Sequence, residues 1–188
     1  MIVVWILVAV AAAIALYVVV AYNSLIKVRN RIENGWAQIE VQLKRRYDLI
    51  PNLVETVKGY AAHERDTLER VITARNSAMT AAAGGAANAA TTGQAESGLG
   101  ATLKSLFALG EAYPDLKANQ NFLGLQEELS STEGKIAYAR QYYNDEVRAY
   151  NTKIQSFPTN LLAQRLRFAT REYFQTDAAE RGPVSVKF

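Results

Sequence analysis

From Ile2 to Tyr22 the chain runs for 21 residues without a charge, a proline or a glycine. As a helix, at about 1.5 Å per residue, that run measures roughly 30 Å, the thickness of a bilayer's hydrocarbon core. Such a segment either stays in lipid or is removed after targeting. Trp5 near one end, with Tyr17 and Tyr22 toward the other, suits interfacial anchoring. Ala11-Ala12-Ala13 has the small side chains of a signal-peptide cleavage site. However, no Lys or Arg precedes the run, and it continues through Val18-Val19-Val20, so a retained single-pass anchor is expected. Lys27, Arg29 and Arg31 follow the span, which by the positive-inside rule puts the N-terminus outside and the main domain in the cytoplasm. Within the span, Ala9/Ala13 and Ala11/Ala15 have the small-xxx-small spacing that lets membrane helices approach closely.

The remainder looks like one ordinary domain. Hydrophobic residues make up 49% of the 188 positions, and Met1–Tyr22 consists of nothing else. Without that end the share falls to roughly 42%, normal for a folded soluble domain. The absence of cysteine excludes disulfides, zinc–cysteine sites, thiol nucleophiles and cysteine-borne lipids. A single histidine, His63, leaves little room for multi-histidine metal sites or triads. A net charge of +3 is too balanced to argue for nucleic acid, and no such partner is expected. Residues 1–26 are therefore read as anchor and flank, 27–176 as a helical domain and 177–188 as a loosely ordered tail.

Apolar residues beyond the anchor recur in sevens. Leu25, Ile32 and Ile39 form one series; Trp36, Leu43 and Ile50 form a second, offset by four. This is the a/d pattern of a coiled-coil-like helix. Pro51 should either kink that helix or open a new one. A second stripe through Val54, Val57, Ala61, Leu68, Val71 and Ile72 should fade near Ser77. Residues 78–101 are rich in Ala and Gly, carry one charge, Glu96, and read as a mobile connection. Gly98–Ser105 ends in Lys-Ser but has Leu103 where a phosphate loop needs glycine. A short helix is expected over Thr102–Ala112, then a turn at Tyr113-Pro114-Asp115. Phe122, Leu129, Ile136, Tyr143, Tyr150 and Phe157 are each seven apart and predict a helix from about Ala118 to Ser156, stopped at Phe157-Pro158. Another short helix is expected from Leu161 to about Phe174. With no strand-like alternation, the fold class is all-α, with a transmembrane helix first.

Few residues suggest chemistry. His63-Glu64 could open a zinc-hydrolase motif, but Thr67 stands where its second histidine belongs. Glu127, Glu128, Glu133, Asp145 and Glu146 fall on polar positions of the long helix and read as a solvated face. Lys44-Arg45-Arg46 reads first as a charged face pairing with Glu40 and Asp48, then as a lipid-headgroup contact, and last as a nucleic-acid contact with Trp36 or Tyr47 as a stacking platform. Lys27, Arg29, Arg31, Arg165, Arg167 and Arg171 are candidate headgroup contacts; the last three interleave with Leu166, Phe168, Tyr173 and Phe174 as in a basic amphipathic piece that either lies on a membrane or docks onto the end of the bundle. Tyr143-Asn144 and Tyr150-Asn151 repeat at heptad spacing. Together with Trp36 and Leu43, the two tyrosines are the candidate packing residues, within one subunit or along a seam between subunits.

Two blocks, YNSLIKVRNRIENGWAQIEVQLKRRYDLIPNLVETVKGYAAHE (Tyr22–Glu64) and YPDLKANQNFLGLQEELSSTEGKIAYARQYYNDEVRAYNTKIQSFPTNLLA (Tyr113–Ala163), closely resemble the LemA family. With the anchor they span more than half of the chain in family order. The resemblance implies a bacterial membrane protein with one N-terminal transmembrane helix followed by an antiparallel bundle of about four long helices, and no established catalytic residues or cofactor to carry over. It also implies genomic neighbours among membrane-bound proteases, hence a role at the envelope. The expected function is accordingly a non-enzymatic, self-associating helical scaffold in the inner membrane, with lipid and a second copy as partners. The alternatives are an adaptor for an envelope protease, or membrane remodelling through the basic amphipathic end.

Overall fold

A computed structural model describes residues 1–175, and the regular secondary structure among them is all helical. Helix α1, Ile2–Lys58, continues without a break from the apolar run into the domain. Its 57 residues amount to roughly 85 Å. Helix α2, Arg65–Ala82, doubles back; after a 3-10 turn at Gly85–Asn88, α3 (Ala89–Ala112) returns alongside it. A single turn of helix, α4 (Pro114–Lys117), leads into α5, Gln120–Gln155, and a short α6, Thr159–Arg165, follows.

Helices α1 and α5 form the spine. Their partners run in opposite order, Ser24 with Lys153, Arg31 with Glu146, Arg45 with Glu128 and Tyr60 with Asn119, so the pair is antiparallel along its whole length. The heptads explain why: Leu25, Ile32, Ile39, Leu43, Ile50 and Val57 are buried on α1, as are Phe122, Leu129, Ile136, Tyr143 and Tyr150 on α5. The side chain of Asn119 accepts from the Phe122 N–H and so caps the start of α5.

Three expectations need correction. Pro51 does not open a new helix, because α1 continues through it to Lys58. It leaves the Tyr47 carbonyl without its helical donor, and Arg75 Nε of α2 donates to that carbonyl at 2.7 Å instead. Residues 78–101 are not a loose connection: α2 extends to Ala82, α3 begins at Ala89, and Ala78, Ala89, Thr92, Gly93 and Leu99 are buried. Alanine is the best helix former, and small side chains let these two helices approach, with Thr92 Oγ1 donating to the Ala81 carbonyl. Finally, the helix expected over 161–174 stops at Arg165. Arg167 has φ 58°, and the chain then runs extended back along the spine to Gln175. The tail expected over 177–188 lies outside the described residues.

Candidate functional site

The hairpin of α2 and α3 covers only the distal half of the spine, from the level of Trp36 outward. In that half lies a buried polar centre. Arg46, 4% exposed, donates from Nη1 to Glu96 Oε2 at 2.7 Å, and its Nη2 forms an ion pair with Glu133 Oε2 at 3.1 Å. The Tyr47 hydroxyl donates to Glu96 Oε1. Burial raises the Glu96 carboxyl above the ordinary carboxylate range, opposed by Arg46 and by the Tyr47 hydrogen bond. The Tyr47 phenol is pushed far up, first by burial and then by the negative charge of Glu96. Arg46 therefore does not pair with Glu40 or Asp48 on its own helix, and Arg45 reaches Glu128 on α5. The clue was available: Arg46 lies seven residues after Ile39 and seven before Leu53, in register with the buried series.

The proximal half has a different cover. Phe168–Gln175 forms an extended strap held by two asparagines of α5. Asn151 receives the Arg171 N–H at 2.9 Å and donates to the Arg171 carbonyl. Asn144 does the same for Phe174, and the Tyr143 hydroxyl donates to the Glu172 carbonyl. Side-chain amides thus replace the ladder partners an extended segment would otherwise lack. At its end the strap passes over Gly93, where a Cβ would stand 1.7 Å from the Gln175 carbonyl oxygen.

The structure turns all four candidate packing residues inward within one chain. The Trp36 ring sits 5.5 Å from Tyr143 and 6.2 Å from Phe174, and its Nε1 donates to Glu40 at 2.6 Å. Leu43, Tyr143 and Tyr150 are no more than 2% exposed. Burial raises the Tyr143 phenol to about 12, and the Tyr150 phenol moves in the same direction. Asn144 and Asn151 fix the register of the strap. Sequence reasoning missed the strap because it has no periodicity.

The candidate headgroup contacts separate into two groups. Arg29 pairs with Glu33 and Arg31 with Glu146, while Arg171 is half-buried with its backbone held by Asn151. Lys27, Arg165 and Arg167 are exposed and make no ion pair among the described residues. His63 lies exposed in the turn between α1 and α2, and neighbouring Glu64 is 3.5 Å from the Tyr113 hydroxyl. Of the five carboxylates expected on a solvated face, Glu128, Glu133 and Asp145 are exposed but engaged in ion pairs, and Glu146 is largely covered. The apolar part of α1 is long enough to cross a membrane, and none of its most apolar window is buried by the rest of the chain.

Comparison with known proteins matches this arrangement to one family. A profile described as the LemA family matches residues 35–188. Protein LemA of Metamycoplasma hominis is 30% identical over 162 residues, covering 86% of this chain and 72% of that protein. Magnetosome protein MamQ 2 of Paramagnetospirillum magneticum is 27% identical over 184 residues, covering 87% of this chain and 68% of the relative. Magnetosome protein MamQ of Magnetospirillum gryphiswaldense is 25% identical with the same coverage. The profile takes in the spine from Gly35 onward with the hairpin and the strap, and the chain belongs to the LemA family.

Proposed function

We propose that this chain is a membrane-anchored, non-enzymatic helical scaffold that holds a stiff bundle at a set distance from the inner membrane and self-associates there. The observation that carries the reading is the continuity of α1, whose exposed apolar end and buried heptads belong to one unbroken helix. A loop at the junction would let the domain swing; a helix does not. On the positive-inside argument the bundle faces the cytoplasm. Because Trp36, Leu43, Tyr143 and Tyr150 are engaged inside one chain, the contact between copies falls to the exposed Ala9/Ala13 and Ala11/Ala15 spacings of the anchor. Sizing of the detergent-extracted full chain tests this. The expected result is an oligomer that Ala9→Phe and Ala13→Phe convert to monomer, and a monomer at every concentration contradicts it.

The exposed faces of α1 and α5 favour a second reading, an adaptor for an envelope protease. Val41 (64% exposed) and Tyr138 (73%) flank a shallow groove lined by Ala37, Ser131 and Gly134. On this reading a photo-cross-linker at Tyr138 captures a membrane protease whether or not the anchor self-associates; cross-links only to a second copy of this chain would count against it.

A further inference from the structure

The corner between α5 and α6 does not follow the burial pattern of the helix that leads to it. Phe157 is the sixth member of the α5 series, and the first five are buried, yet it is 79% exposed. Leu161 on α6 is 61% exposed, and Leu166 just beyond it 45%. In water these large apolar side chains would be left uncovered at one end of the molecule.

Their position relative to α1 explains the exposure. On the way in, Lys153 bonds Ser24, which fixes that point of α5 at the foot of the bundle. At the tip, the Thr159 hydroxyl lies 3.0 Å from the Tyr17 hydroxyl. On the way out, the Phe168 ring packs edge-on 6.1 Å from Tyr22. Between Lys153 and Thr159 the chain therefore descends along α1 from the level of Ser24 to that of Tyr17. Seven residues of helix separate those levels, about 10 Å along the axis. Tyr17 is well inside the uncharged run that ends at Tyr22. Consistent with the contact, Tyr17 and Val18, at 39% and 37%, are the least exposed large side chains of residues 1–20. If α1 spans a bilayer, the corner lies below the surface of that bilayer.

We propose that the α5–α6 corner is a second membrane attachment, inserted beside α1 into the leaflet facing the bundle, with Phe157 and Leu161 among the acyl chains. The chemistry of the corner fits. The Tyr17–Thr159 contact with the apolar part of α1 pairs two hydroxyls where water is scarce. Arg165 and Arg167 stand where the chain turns back toward Tyr22, able to reach the phosphates while their stems stay in the apolar layer. Two attachment points on one rigid spine fix the rotation of the anchor about its axis as well as its depth.

This inference rests on α1 being a membrane anchor, and the test separates the two. The native chain has no cysteine, so single nitroxide labels can be placed through Val10→Cys, Asn52→Cys, Phe157→Cys and Leu161→Cys. The full-length protein is reconstituted into vesicles of phosphatidylethanolamine and phosphatidylglycerol, and relaxation by dissolved oxygen is compared with relaxation by a water-soluble nickel chelate. The expected result is that labels at 10, 157 and 161 favour oxygen and lose access to the chelate, while the label at 52 stays open to it. A buried label at 10 with water-exposed labels at 157 and 161 overturns the inference and leaves the anchor standing. A water-exposed label at 10 overturns both.

Discussion

The α1–α5 spine is covered in two ways along its length. Its distal half is closed by a helical hairpin with a buried ionic centre; its proximal half is closed by an extended strap held through side-chain amides. In the distal half the cover brings its own backbone hydrogen bonds, so the interface can consist of small apolar residues plus Arg46, Glu96 and Tyr47. In the proximal half the cover arrives with unpaired backbone groups, and α5 supplies Asn144, Asn151 and Tyr143 to meet them. The first kind of closure should fail as a unit, and the second should release while the helices persist.

Glu96→Ala should have the largest effect. It leaves Arg46 buried with only the exposed Glu133 as partner and the Tyr47 hydroxyl without its acceptor. Breaking a buried pair from one side typically costs about 3–5 kcal/mol, to be read as a lower unfolding free energy and cooperative loss of helix signal. Gly93→Val comes next, because its side chain would occupy the space of the Gln175 carbonyl. A cost of roughly 1–3 kcal/mol is expected, in the form of strap release. Limited proteolysis should then cut within 168–175 while helicity holds. Asn151→Ala removes both hydrogen bonds to Arg171 and should cost about 1–2 kcal/mol. Amide exchange should quicken at Arg171 and Phe174 and stay unchanged around Glu96.

At neutral pH the smallest effect is that of the tyrosine. The Tyr143 phenol is raised by burial to about 12 from its ordinary 10.0, so the folded chain holds its proton more tightly than the unfolded one. The stabilisation is complete below pH 10 and declines as pH rises toward 12. A pH series of unfolding midpoints should fall in that window, and more shallowly in Tyr143→Phe.

The two covers were not equally legible in the sequence. The spine was, since the series Leu25–Ile39 and Phe122–Tyr150 name its buried faces directly. Arg46 was legible only as a register position, because a charge in an apolar series does not announce a partner fifty residues away on α3. The segment 78–101 was misread because lack of bulk looks like lack of core, whereas two Ala-rich helices pack closely by virtue of small side chains. The strap left no periodic signal. Its single trace was the pair Asn144 and Asn151, seven apart on the buried side of α5, which hints at a register to be fixed but not at what is held there. Phe157 was misread in the other direction, as an end to the core series rather than as an exposed corner.

The central claim, that one stiff helix links membrane and bundle, is tested most directly by a distance across the junction. With nitroxides at Ile14→Cys and Asp48→Cys in the reconstituted full chain, pulsed dipolar spectroscopy should return one narrow distribution near about 51 Å, the rise of an unbroken helix between them. A broad or shorter distribution would mean that α1 bends at the foot of the bundle, and the rigid-scaffold account would be contradicted.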